Sequence, residues 1–362
     1  MYCSPLLPSD PTRLPAGVRQ WIGRRLSGPR PTRDNIRRTA CIHKVDRLGD
    51  FVLALSAIRL LLGHFGPGQC SLVVSDLAAP LAAREFPDVP LITMPADAPG
   101  VLLDLLPAWW RDRPRLGGVR HGLGICLSQQ RDLYKEVSLT WIAAEREVRL
   151  TRADYPAEAR VHLPTDLLAH QLVVSRVLGR PVSDAEITPR MQSALADDQG
   201  GLLLCPLGSG PLRTLPPALV AAGLRAWHGG RTVTLCGSPV QAKRLHAYAA
   251  ELTAAGAGGV TLSIPATLDD FIGLVATSGL FLGTESGGAH LATALNQRAV
   301  IVLGGGTPGL CMPWRRSGRQ VHVQHPLPCY GCGWRCTRPD VDCLKLIPPD
   351  ALARALHEAA VP

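Results

Sequence analysis

From about residue 39 onward the hydrophobic pattern of the chain changes period again and again. Short runs rich in Val, Ile and Leu at 40–45, 71–75, 91–94, 122–127 and 147–150 predict strands, and apolar residues at helical spacing fill the gaps between them. Phe51, Leu55, Ile58 and Leu62 share one face of the helix after the first strand, and 163–178 predicts a longer helix. A polar segment containing Gly-Arg-Pro, 179–199, breaks the alternation and reads as a linker. A second series follows, with strands at 201–206, 231–236, 260–264, 279–282 and 299–303 and helices near 215–228, 239–255, 267–277 and 286–296. Such βα alternation with short loops predicts parallel sheets covered on both faces. The expected fold is α/β, with two Rossmann-like parallel-sheet domains facing across a cleft. The expected domains are 39–185 and 186–362, preceded by a basic Pro/Arg-rich tail at 1–38.

Composition agrees with a globular protein: 362 residues, 46% hydrophobic and 19% charged. No uninterrupted apolar run approaches the roughly 20 residues that span a bilayer, and no export signal is read at the N-terminus, so a cytoplasmic location is expected. The net charge of +9 is uneven: eight arginines against Asp10 and Asp34 put +6 of it in the first 40 residues. The body is therefore near neutral, which removes most support for a nucleic-acid partner. Within the tail, Leu14, Val18, Trp21, Ile22 and Leu26 beside Arg19, Arg24 and Arg25 read either as a solvated arm or as a segment contacting the inner face of an anionic membrane.

Candidate chemistry centres on 279–304, a strand, a Gly-containing turn and a helix leading into a further strand. Glu285, Ser286, Gly287 and Gly288 bring small residues and free N–H groups to the helix N-terminus, which suits a phosphate or pyrophosphate. His290, one turn on, reads as a diphosphate ligand or as a packing histidine. Neither a G-x-G-x-x-G after a strand nor a G-x-x-x-x-G-K-[ST] loop is read in either half, which disfavours dinucleotide dehydrogenases and P-loop ATPases. Gly304, Gly305 and Gly306 read as a backbone approach to the donor or as a plain turn. Asp50 reads as a helix N-cap or as a general base at the carboxyl end of a strand. Lys44 and Arg47 flank its loop and are candidates for contact with an anionic acceptor.

Cys329, Cys332, Cys336 and Cys343 form a C-x2-C-x3-C-x6-C cluster within a loop at 329–343, a spacing that suits a tetrathiolate zinc or iron site better than disulfides. Tyr330, Trp334 and Arg335 beside it are alternatively an acceptor surface. The other seven cysteines are scattered through apolar runs and read as small core residues.

The segment from His43 to Asp50 resembles the opening R-x-x-x-x-G-D motif of family 9 glycosyltransferases, the heptosyltransferases. The loop Leu204-Cys205-Pro206-Leu207-Gly208-Ser209, with Arg213 and Pro216, resembles that family's loop leading to a basic residue and a Trp-Pro helix start. Residues 282–295 resemble its nucleotide-sugar signature D-[ST]-G-x-x-H-[LI]-A-x-A-L, matched at Gly287 and His290. The resemblance runs from about residue 40 to 355. It implies a GT-B architecture and inverting transfer from a nucleotide-diphosphate sugar, an ADP-sugar first of all, to a cell-envelope glycan or glycolipid, with heptose as the default sugar. It further implies Asp50 as general base. Donor binding falls to Gly208, Ser209, Arg213, Glu285, Ser286, Gly287, Gly288 and His290, with no metal needed for catalysis. Departures are Glu285 for Asp, Arg213 for Lys, Ser56 for Pro and Leu215 for Trp. A sugar-nucleotide epimerase or hydrolase of the same architecture, and a non-catalytic binding protein, are the competing expectations.

Overall fold

A computed structural model of the chain describes residues 37–96, 112, 115–128, 133–150, 165–192, 200–227, 232–314 and 319–361. The amphipathic segment of the tail lies outside them. The described chain divides between Pro189 and Arg190 into two compact units.

The N-terminal unit is built on a five-stranded sheet of order β3-β2-β1-β4-β5, every pair parallel. Its strands are β1 (Arg37–Lys44), β2 (Cys70–Ser75), β3 (Leu91–Met94), β4 (Arg120–Cys126) and β5 (Ala143–Val148). Arg37 and Arg38 thus open the first strand instead of ending the tail. Helices α1 (Leu48–Phe65), α2 (Ala79–Glu85), α3 (Leu133–Trp141) and α4 (Thr165–Leu178) alternate with the strands. Helix α1 is long and apolar enough to cross a membrane by length and composition, but 61% of it is buried, as in a core helix. It packs on α4 and β1. The segment expected as a linker carries a one-turn helix, α5 (Asp184–Ile187), closed by a reciprocal capping box between Ser183 and Glu186.

The C-terminal unit has six parallel strands in the order β11-β10-β9-β6-β7-β8. These are β6 (Leu202–Cys205), β7 (Val233–Cys236), β8 (Val260–Ser263), β9 (Leu280–Thr284), β10 (Ala299–Leu303) and β11 (Gln320–Gln324). The helices are α6 (Pro217–Trp227), α7 (Ala242–Ala254), α8 (Leu268–Thr277), α9 (Gly287–Ala294), α10 (Asp342–Lys345) and α11 (Pro349–Ala360). Its core joins Leu202, Leu204, Leu282, Val300 and Val302 of the central strands to Leu219, Leu352 and Leu356 of the covering helices. Central strands β6, β9 and β10 are buried along their whole length, as a parallel sheet covered on both faces requires. Six of the scattered cysteines (41, 70, 126, 205, 236 and 311) are buried free thiols, in keeping with their reading as small apolar residues.

Candidate active site

Each sheet reverses its winding once. In the N-terminal unit the chain leaves β1 toward β2 and β3, then returns on the other side as β4 and β5. In the C-terminal unit it leaves β6 toward β7 and β8 and returns as β9, β10 and β11. At such switch points the loops beyond the carboxyl ends of the two central strands diverge and leave a crevice for ligands. The sequence candidates fall there: Asp50 after β1, Gly208 to Arg213 after β6, and Glu285 to His290 after β9.

Asp50 is not the N-cap of α1. Arg47 holds that position, with no capping side chain, and Asp50 is the third helical residue, half-buried in the first turn. There the helix dipole favours a carboxylate. Its carboxylate lies within 4.8 Å of that of Asp166, in the first turn of α4. Asp166 went unnoticed in the sequence because a Thr-Asp pair opening a helix reads as an ordinary helix start.

Lys44 corrects an expectation. It is no loop cation but the last residue of β1, 1% exposed, with Nζ 3.0 Å from Asp46 Oδ2. Lys135 Nζ holds the other Asp46 oxygen at 2.6 Å. Burial alone would raise the Asp46 pKa, yet Lys44 and then Lys135 hold it well below the usual carboxylate range. Burial likewise opposes the charge on Lys44, and Asp46, Asp166 and Asp50 outweigh it. Lys44 Nζ also donates to Leu127 O at 3.3 Å and lies 3.4 Å from His170 Nε2. His170 faces a carbonyl oxygen from each ring nitrogen, Leu53 O from Nδ1 at 3.2 Å and Leu127 O from Nε2 at 3.1 Å, and a neutral ring donates to only one of them. Burial, then Lys44, pushes the His170 pKa down to about 3. Asp50 therefore sits over a buried, fixed charge network, while Arg47 remains exposed at the helix start.

In the C-terminal unit the loop after β6 is closed by Leu215 N–H to Pro206 O at 2.9 Å. Gly208 is buried and so close to Arg213 that a Cβ would stand 2.8 Å from the Arg213 carbonyl oxygen. Ser209 is exposed. Arg213 ends a short 3-10 turn and lays its guanidinium 4.5 Å above the Trp334 ring. Ser286 is the N-cap of α9 in extended conformation, and its side chain does not cap the helix. The first-turn amides of Gly287 and Gly288 are consequently not taken by the capping hydroxyl. Glu285 is 7% exposed.

His290 is buried, and its Nδ1 accepts the indole N–H of Trp314 at 3.1 Å, so the neutral ring carries its proton on Nε2. Burial, then the Arg213 charge, pushes its pKa down to about 3. Arg213 and His290 are thus near enough to sense each other, although they stand on loops of different strands.

Residues 304–309 do have G-x-G-x-x-G spacing after β10, but a turn and not a helix follows, so no helix N-terminus meets a phosphate there. Instead Tyr330 packs on Gly305 and Trp334 on Gly304 and Gly306, where any Cβ would overlap the rings. These aromatic residues brace the turn. The four clustered cysteines are free thiols lining one pocket, and Gly305 N–H donates to Cys343 Sγ at 3.3 Å. Burial first, then the neighbouring thiols, raises the Cys336 pKa. Thiolates suit a soft metal ion, although these four sulfurs are not gathered as closely here as the ligands of a bound ion would be.

Two parallel α/β units, each with its candidate residues at the switch point, define a GT-B glycosyltransferase fold. Residues 192–334 match the family model described as glycosyltransferase family 9 (heptosyltransferase), the family whose resemblance was read from the sequence. This match includes the second and third motifs and not the one around Asp50. Among solved structures, the chain is similar to the Escherichia coli heptosyltransferase WaaC with ADP (TM-score 0.60, 15% identity, covering 90% of this chain and 100% of that one). It is also similar to a family 9 glycosyltransferase from Veillonella parvula (TM-score 0.63, 12% identity, 92% and 99%). A third is the iron-containing dodecameric glycosyltransferase TibC from enterotoxigenic E. coli (TM-score 0.50, 15% identity, 91% and 78%). Comparison with curated proteins by sequence returned no match.

Proposed function

We propose that the protein is an inverting glycosyltransferase that moves a sugar, heptose first among the candidates, from an ADP-sugar to a glycan or glycolipid of the cell envelope. The observation that supports this reading is that Arg213, neutral His290 and the uncapped start of α9 stand on the loops after the two central strands β6 and β9, with Arg213 close enough to act on His290. WaaC, whose structure was solved with ADP, supports the choice of nucleotide.

In this reading Asp50 accepts the proton of the acceptor hydroxyl as its oxygen attacks the anomeric carbon. The bond from that carbon to the diphosphate oxygen breaks with its electron pair, and the configuration inverts. The nucleoside diphosphate leaves with one more negative charge, met by Arg213, the Gly287 and Gly288 amides and His290 Nε2–H. Arg213 gives a two-toothed fork where the family's Lys gives a point charge. Arg47 is the candidate cation for an anionic acceptor, because Lys44 is engaged below the surface. The four cysteines hold zinc or iron as a stabiliser of the 329–343 loop, a reading that TibC, described as iron-containing, supports.

The test is transfer from ADP-heptose by wild-type and Asp50→Asn protein. A loss of about 10²–10⁴ in turnover, with ADP binding retained, is expected for a missing general base. Full transfer by Asp50→Asn would sink the assignment. Elemental analysis checks the metal: less than one zinc or iron per several chains excludes it.

A further inference from the structure

The cysteine loop is fastened onto the turn after β10 by backbone groups. Gly331 N–H donates to Gly305 O and Gly333 N–H to Gly306 O, both at 2.8 Å, and Gly305 N–H donates to Cys343 Sγ at 3.3 Å. The glycines of the turn let Tyr330 and Trp334 come down onto the backbone. Trp334 itself is held at φ 64°, a left-handed conformation that a bulky residue adopts only where its surroundings impose it. Its ring then reaches Arg213, more than a hundred residues away in sequence, with the guanidinium carbon 4.5 Å from the ring centre. A planar guanidinium on an aromatic face is attracted by the ring quadrupole and loses freedom to swing. The Arg213 backbone in turn lies against Gly208, where no side chain fits.

We propose that Trp334 is a positioning residue for the donor diphosphate: it holds the Arg213 fork at the carboxyl end of β6, and through it donor affinity depends on the cysteine loop. The inference rests on the donor reading given above. It assigns the cysteine loop a part in substrate binding beyond stabilising its own fold. A fork already fixed before binding loses less freedom when it grips a diphosphate, which favours affinity.

Calorimetric titration of the full chain with ADP and with adenosine tests this, using wild type, Trp334→Phe, Trp334→Leu, Arg213→Ala and the Trp334→Leu/Arg213→Ala double variant. Trp334→Leu is expected to weaken ADP roughly ten-fold, the scale of one desolvated cation–aromatic contact, and to leave adenosine unchanged. Trp334→Phe keeps a ring and stays within about three-fold of wild type. In the Arg213→Ala background Trp334→Leu costs nothing further, since its effect passes through Arg213. Equal ADP affinity in Trp334→Leu and wild type, or additive losses in the double variant, overturns the inference and leaves the donor reading standing. Wild-type protein that binds no ADP overturns that reading and the inference with it. If Trp334→Leu fails to fold, Trp334→Met fills the volume without a ring, and the same outcomes apply.

Discussion

At Asp50 two local effects meet on one side chain. The first turn of α1 favours a carboxylate, and the switch point between β1 and β4 puts that turn at the crevice. Asp166 adds a second carboxylate within 4.8 Å, with Lys44 buried as their shared counter-charge. A second carboxylate this close is placed to influence the base. Asp166→Asn keeps the shape and removes the charge, and is expected to lower kcat/KM of the transfer reaction by roughly ten-fold. Unchanged kcat/KM would separate Asp166 from the base. For His290 the prediction concerns pH. With its pKa pushed to about 3 it stays neutral across the working range, so ADP affinity should show no histidine step between pH 5 and 8.

At the scale of elements, the central strands were legible, and so were the edge strands β3 and β8, but the other two edges, β5 and β11, were not. Strands β6, β9 and β10 are largely apolar runs because both faces are covered. β11, with Gln320, His322 and Gln324 alternating with two valines, was missed, and β5 was read at 147–150 where it runs Ala143–Val148. Both are the outer strands of their sheets, where one side has no neighbour and polar side chains such as Glu145 and Arg146 stay exposed. The anion-binding helix start at Ser286 was legible because small residues after a strand have few other uses. Lys44 was misplaced because a charge at a strand end looks exposed until its partners, Asp46 and Lys135, arrive from elsewhere. Trp334 beneath Arg213 was illegible for the same reason: only the folded turn at 304–306 joins them. That tightness yields a paired test in the β6 loop. Gly208→Ala forces a methyl group into Arg213 and should cost about 1–3 kcal/mol and weaken ADP, whereas Gly210→Ala, with nothing within 4 Å, should be tolerated. Urea unfolding and ADP titration of the two variants compare them directly.

At the scale of the whole molecule, the two units bury their histidines unequally. His43 and His121 have pKa values lowered to about 4 and His170 to about 3, all chiefly by burial, and all three belong to the N-terminal unit. In the C-terminal unit His290 is shifted in the same direction. A histidine with a lowered folded pKa supports stability fully above its unfolded value of 6.5. It loses that support as pH falls toward the folded value, because the unfolded chain takes up the proton first. Each such histidine adds a slope of roughly 1.4 kcal/mol per pH unit in that window. Asp46 does not act there, since its depressed pKa costs stability only once pH falls below the ordinary carboxylate range. Between pH 6.5 and about 4 the N-terminal unit therefore answers to the protons of His43, His121 and His170 together. Hydrogen exchange followed by mass spectrometry at pH 7 and pH 5, corrected for intrinsic rates, should show protection falling further in peptides of β1, β4 and α4 than in those of β6, β9 and β10. Equal losses in the two sets would mean that the buried histidines of the N-terminal sheet do not govern its acid stability.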